Sequence, residues 1–136
     1  MNGNSLSDIK LFNTLVNDFF NELIEIFPQN INIKIRQLMF EGLIKINVRQ
    51  PCIRFMNGVA PYLNQIASKD ILFFTGEHTH NFIKNLSIDK SSIIGLSEHN
   101  IKAIWSYIIL FIKVGINIVQ MPEESQDIIE YIINNN

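Results

Sequence analysis

Between positions 5 and 27 the large apolar residues Phe12, Leu15, Val16, Phe19, Phe20, Leu23, Ile24 and Phe27 return at steps of three and four, the spacing of one helix face. Lys10, Thr14, Asn17, Asp18, Asn21 and Glu25 fall opposite, so the stretch predicts an amphipathic helix with a solvated back. Ser5 and Asp8 suit its start, and Pro28 ends it. A second helix is predicted from about 32 to 45, with Ile35, Leu38, Met39 and Ile46 turned inward and Gly42 admitting a close neighbour. The alternation Ile31-Asn32-Ile33-Lys34-Ile35 also fits a short strand, but too few partner strands follow to complete a sheet.

Pro51 suits the first turn of a third helix whose apolar side is Phe55, Met56, Val59, Leu63 and Ile66. Pro61 clashes with the carbonyl four residues back, so 51–68 is expected as a kinked helix or two short pieces. Ser68 and Asp70 offer caps for a short helix at 71–74. Gly76 breaks the pattern, a further short helix can span 77–86, and Asp89-Lys90-Ser91-Ser92 reads as a turn. Ser97 is the expected N-cap of a long helix from Glu98 to about Val119, in which Ile101, Ile104, Trp105, Ile108, Ile112, Ile116 and Val119 share one stripe that Ile109 and Phe111 widen. A last helix starts near Pro122 and buries Ile128, Ile129, Ile132 and Ile133, with Asn134 to Asn136 fraying. The prediction is a single all-α domain over residues 1–136, of five to seven helices around the 98–119 hub.

Length and composition agree with that reading. A chain of 136 residues with 47% hydrophobic and 18% charged positions buries a full core and is not a disordered tail. Ile occurs 26 times and Asn 17 times, and Lys outnumbers Arg 8 to 3, a bias toward AT-rich codons. The net charge of −2 and a pI near 5.9 exclude a histone-like electrostatic footprint. A lone Cys52 excludes an internal disulfide and suits a reducing compartment, so a cytoplasmic location is expected; no signal peptide is visible at the start. The stretch 103–119, charged only at Lys113, approaches the length of a membrane span, but Ser106, Gly115 and Asn117 make a buried helix the expected reading.

Four groupings carry candidate chemistry. His78 and His80, with Glu77 beside them and His99 further on, supply metal-binding side chains without the spacing of a zinc motif. Cys52, near a helix start with Arg49 and Arg54 close by, has the placement of an activated thiol, and also that of a small core residue. Asp18, Glu22 and Glu25 share a helix side but have nothing nearby to separate their pKa values. No phosphate loop, nucleophile elbow or Walker sequence is present, so no catalytic residue, metal or cofactor is assigned and an enzyme is not expected.

The fourth grouping is electrostatic. Lys34, Lys45 and Arg49 lie near one helical line with Arg36 and Arg54 to either side, a patch that can contact phosphates. Glu41 sits in the same line and pairs naturally with Lys45, and the acidic segment Glu123, Glu124, Asp127 and Glu130 is a second possible counterpart. The apolar residues Phe73, Phe74, Leu110 and Phe111 exceed what a monomer needs and are the expected protein interface.

Two stretches carry a resemblance. Phe19-Phe20-Asn21-Glu22-Leu23-Ile24-Glu25-Ile26-Phe27-Pro28, and the block from Gly95 to Leu110 with Ser97 before Glu98 and the run Ile104-Trp105-Ser106-Tyr107, resemble small helical proteins encoded by nucleocytoplasmic large DNA viruses. The order and separation of the blocks fit, although this chain is shorter and less acidic. The resemblance implies an all-α fold and a viral setting, and transfers no active site. The expected function is therefore non-enzymatic: a structural or protein-interaction protein, virion-associated or acting in the infected cytoplasm, with a protein partner or a second copy. The alternative is a nucleic-acid-binding or transcription-related accessory protein using Lys34, Arg36, Lys45, Arg49 and Arg54.

Overall fold

The first apolar period folds as predicted into α1 (Leu6–Ile26), burying Phe12, Val16, Phe19, Phe20 and Leu23. The computed structural model describes residues 6–76 and 88–136. Ser5, Glu77, His78, His80 and the short helix predicted at 77–86 lie outside the described residues. Asn30 opens α2 (Ile31–Ile46), its side-chain oxygen accepting the Asn32 amide at 3.1 Å, which decides for helix over strand at 31–35. Pro51 falls in the first turn of α3 (Gln50–Val59). At Pro61 the missing amide hydrogen ends the α-helical ladder, and the chain passes through one 3₁₀ turn, Ala60–Tyr62, into α4 (Leu63–Ser68).

Asp70 accepts the Leu72 amide at 3.0 Å and caps α5 (Leu72–Thr75). Ser68 does not share that role: its hydroxyl donates back to the carbonyls of Asn64 and Gln65 at 3.2 and 3.3 Å. The turn predicted at 89–92 is instead the start of α6 (Lys90–Ile94), because the Asp89 carboxylate accepts the Ser92 amide at 2.8 Å and the Ser91 hydroxyl at 3.0 Å. Hydrogen bonds from Ser92 and then Ser91 hold that carboxyl below its ordinary pKa.

Ser97 caps α7 (Glu98–Gly115) by accepting the Asn100 amide at 3.1 Å. The helix stops four residues before Val119, since the amides of Ile118 and Val119 both turn back to the Gly115 carbonyl. Pro122 stands immediately before α8 (Glu123–Asn134). Beyond its last residue, Asn136 Nδ2 donates to the Ile132 carbonyl at 2.8 Å, and Lys113 Nζ donates to the Asn136 oxygen at 2.9 Å.

The fold is all-α, without a strand among the described residues, and α7 is its hub, packed on α1, α3 and α8. Phe111 lies at the centre. Its ring stands 5.5 Å from Phe12, 5.5 Å from Phe19 and 5.4 Å from Phe55, the last two edge-on. Toward the N-terminal end of α7, Trp105 packs at 4.7 Å from Phe74 and 5.8 Å from Phe73. The interface expected at Phe73, Phe74, Leu110 and Phe111 is corrected accordingly: the three phenylalanines are buried at 0, 5 and 0% exposure, and Leu110 alone of the four reaches the surface. Sequence counting overstated the surplus because Phe73 and Phe74 of α5 pack on Trp105 of α7, while Phe111 packs on rings of α1 and α3. No helix among the described residues is long and apolar enough to cross a membrane.

Candidate functional site on the outward face of α2

The inward side of α2 combines one amide, Gln37, with the apolar Ile33 and Phe40. Gln37, 2% exposed, donates through Nε2 to Asn17 Oδ1 at 3.1 Å and Asn21 Oδ1 at 2.9 Å, and its own oxygen accepts Lys34 Nζ at 3.2 Å. Asn13 Nδ2 reaches past the end of α2 to the Val48 carbonyl at 2.9 Å. Asn13, Asn17 and Asn21 recur every four residues along α1, so they present a polar ladder to which only a hydrogen-bonding side chain can dock without loss. Ile33 is the apolar residue of α2 that is fully buried, and Phe40 packs at 5.8 Å on Phe20.

This seam sets the rotation of the helix and turns its apolar stripe away from the core. Ile35, Leu38, Met39 and Ile46, predicted inward, are 48, 55, 59 and 85% exposed, and Ile31 joins them at 72%. Positions 31, 35, 38, 39, 42 and 46 follow one face by helical spacing. Gly42, expected to admit a close neighbour within the fold, meets none among the described residues: a Cβ built there has nothing within 4 Å. The result is an apolar strip that no described residue covers, along the full length of α2, about 22 Å at 1.5 Å per residue.

The cations distribute around that strip. Lys34 and Lys45 lie along one edge with Glu41, while Arg36 lies on the other, its Nη1 at 3.9 Å from Met39 Sδ. The single line expected through Lys34, Lys45 and Arg49 is broken, because α2 ends at Ile46, Asn47 is extended, and Arg49 belongs to the entry of α3 with Arg54 one turn on. The acidic residues of α8 belong to a helix that packs on α4 and α7.

The other candidates are placed as follows. Cys52 occupies the first turn of α3, as its sequence position suggested, but it is 1% exposed and burial pushes its thiol up to about 12. At pH 8 roughly one molecule in ten thousand then carries a thiolate, so Cys52 is a core residue and not an activated nucleophile. Asp18 and Glu22 face Tyr107 of α7, whose pKa is raised by burial first and then by these two carboxylates. Among the described residues no three His, Cys, Asp or Glu side chains converge on a common point. A cleft of about 440 Å³ opens between α1 and α2, lined by Lys10, Asn13, Thr14, Asn17, Phe40, Glu41, Ile44 and Val48, a set without Cys or His.

Two consequences of Cys52 burial are measurable. The intact protein should resist thiol reagents at pH 8 and react at once in denaturant. The folded pKa lies above the unfolded value of 9.0, so the neutral thiol favours the fold below pH 9 and this contribution is lost as pH rises from 9 toward 12. Relative to wild type, Cys52→Ala should therefore gain about 2 kcal/mol between pH 8 and pH 10.5, read from urea unfolding at both values. A constant difference would show that the thiol is not desolvated.

Sequence reasoning missed the α2 face. The signal was the four-residue recurrence of Asn13, Asn17 and Asn21 along α1, of which Asn17 and Asn21 were read as part of a solvated back. Comparison with protein-family models, with curated proteins and with solved structures finds no match to this chain.

Proposed function

We propose that this protein acts without catalysis, by protein–protein contact through the outward face of α2, in a viral setting such as the virion or the infected-cell cytoplasm. The observation that carries the reading is the strip Ile31, Ile35, Leu38, Met39 and Ile46, which leaves five large apolar side chains about half or more exposed on one helix. Contiguous patches of this kind mark sites of association, because each exposed chain forgoes roughly 1.5 kcal/mol or more that burial would return. The viral setting rests on the two sequence blocks alone. The nucleic-acid alternative loses support from the separation of Arg36 from Lys34 and Lys45 across an apolar surface, since phosphate binding favours a continuous cationic stripe.

A Leu38→Glu, Met39→Glu double variant tests the reading. Both sites are exposed, so its thermal unfolding should match wild type within a few degrees. Proteins retained by immobilised wild type from the cells that make it, with a tagged second copy added, should fall by about tenfold or more on the variant. Identical retention on both would overturn the assignment of function to this face.

A further inference from the structure

We propose that a second cleft, apart from the α2 face, binds a primary ammonium on a short aliphatic stem that ends in a neutral hydrogen-bonding group. The cleft measures about 310 Å³ and lies where the Ala60–Tyr62 turn and α4 meet the first two turns of α8. It shares no residue with the α2 strip, so either assignment can fail and leave the other standing.

Helical spacing orders the α8 wall of this cleft. Asp127 neighbours Glu124 at three residues, Glu124 neighbours Ile128 at four, and Ile128 neighbours Ser125 at three. The wall therefore runs from two carboxylates, over one half-buried apolar side chain, to a hydroxyl. Pro61 and Leu63 line the opposite side and extend the apolar middle.

Both ends lack a partner. The segment 121–136 holds Glu123, Glu124, Asp127 and Glu130 and no Lys or Arg, and the carboxylates of Glu124 and Asp127 have neither an ion pair nor a hydrogen bond among the described residues. Acids in the first turn of α8 answer its helix dipole, but Asp127 lies beyond that turn, where the dipole no longer accounts for it. Ser125 is 8% exposed, and its hydroxyl likewise has no hydrogen bond among the described residues. Buried hydroxyls are ordinarily bonded, and this one belongs to a residue on the wall of a cleft.

The carboxylates call for a cation and the apolar middle for a hydrocarbon stem. Ser125, which both donates and accepts, calls for a polar group without charge, because a second charge would lose its water there. Neighbours at these spacings have Cβ atoms about 5–6 Å apart, so a stem of about four carbons crosses Ile128. A bare divalent ion fits less well, since two carboxylates fall short of the oxygen set that calcium takes and the apolar side chains would contribute nothing. Two sources supply the chemistry: a free amino alcohol, and a lysine side chain with its own peptide group at the far end.

Amide NMR shifts of the full chain, followed at constant ionic strength, test the site with two probes: aminobutanol carrying its groups at opposite ends, and Nα-acetyl-lysine methylamide. Saturable shifts confined to residues 60–64 and 123–128 are expected in the millimolar range, and the tighter probe identifies the source. Butanol should leave the same amides unmoved. Asp127→Asn, at an exposed position, should weaken the tighter probe by about fivefold with unchanged circular dichroism. Ser125→Ala should weaken aminobutanol by about fivefold and leave butylamine, which lacks the far group, within about twofold. No saturable shift with either probe, equal binding by Asp127→Asn, or the same shifts with butanol would overturn the ammonium site. Any other response to Ser125→Ala, such as equal losses for aminobutanol and butylamine, overturns the placement of the far group on that hydroxyl.

Discussion

Phe111→Ala should destabilise the protein by about 4 kcal/mol, enough to leave a domain of ordinary stability partly unfolded near physiological temperature. The magnitude follows from position. Phe111 is fully buried, and its ring touches Phe12 and Phe19 of α1, Phe55 of α3 and Tyr107 one turn earlier on α7, so truncation opens a cavity where three helices meet. Collapse around that cavity is restricted, because the neighbouring rings are held by contacts of their own, such as Phe12 on Phe55 at 6.0 Å. The control is the next residue. Leu110 is 38% exposed, and Leu110→Ala should cost about 1 kcal/mol or less. Urea unfolding of the pair checks both, with the midpoint falling steeply for Phe111→Ala at nearly constant slope. Equal, small losses would return Phe111 to the surface role that its neighbourhood in sequence suggested.

That contrast shows what periodicity can and cannot decide. The 3.6-residue repeat located α1, α3, α7 and α8, because their apolar faces meet one another and burial follows hydrophobicity. It also marked Pro61 as the end of an α-helical segment, a consequence of covalent chemistry that needs no neighbour. Rotation about a helix axis is a different quantity, since it depends on what the facing helix offers. For α2 the facing surface is Asn13, Asn17 and Asn21, and Gln37 satisfies two of these amides at a position that leaves Ile35, Leu38 and Met39 outside. A single chain read alone assigns its largest apolar stripe to the core, whereas here Ile33, Gln37 and Phe40 form the side of α2 that turns inward. The candidate site was invisible for the same reason that α2 is inverted. The basic residues were legible as a cluster along the chain, but their separation across the strip required the helix end at Ile46 and the rotation together.

Gly115 is the other position where the fold asks something that composition does not reveal, and its substitution should be costly against the usual trend. Glycine to alanine within a helix ordinarily gains close to 1 kcal/mol from backbone entropy and propensity. At the C-terminal end of α7, however, a Cβ would overlap the Met56 side chain of α3, coming within 2.8 Å of its Cγ and 3.2 Å of its Cε. Met56 is fully buried and cannot swing into solvent, so the helices must separate or the thioether must leave its rotamer, at about 1–3 kcal/mol. Gly115→Ala is therefore expected to destabilise the protein, and the origin of the loss is separable. Met56→Ala alone should cost about 3 kcal/mol by opening a cavity, yet in that background the added methyl fills part of the space it opens. The double variant should then be more stable than the sum of the two single losses by about 1 kcal/mol or more, a coupling that thermal or urea unfolding of the four proteins measures directly. A stabilising Gly115→Ala, or strictly additive losses, would mean that α3 and α7 approach less closely here than their backbones indicate, with Gly115 serving only to end the helix.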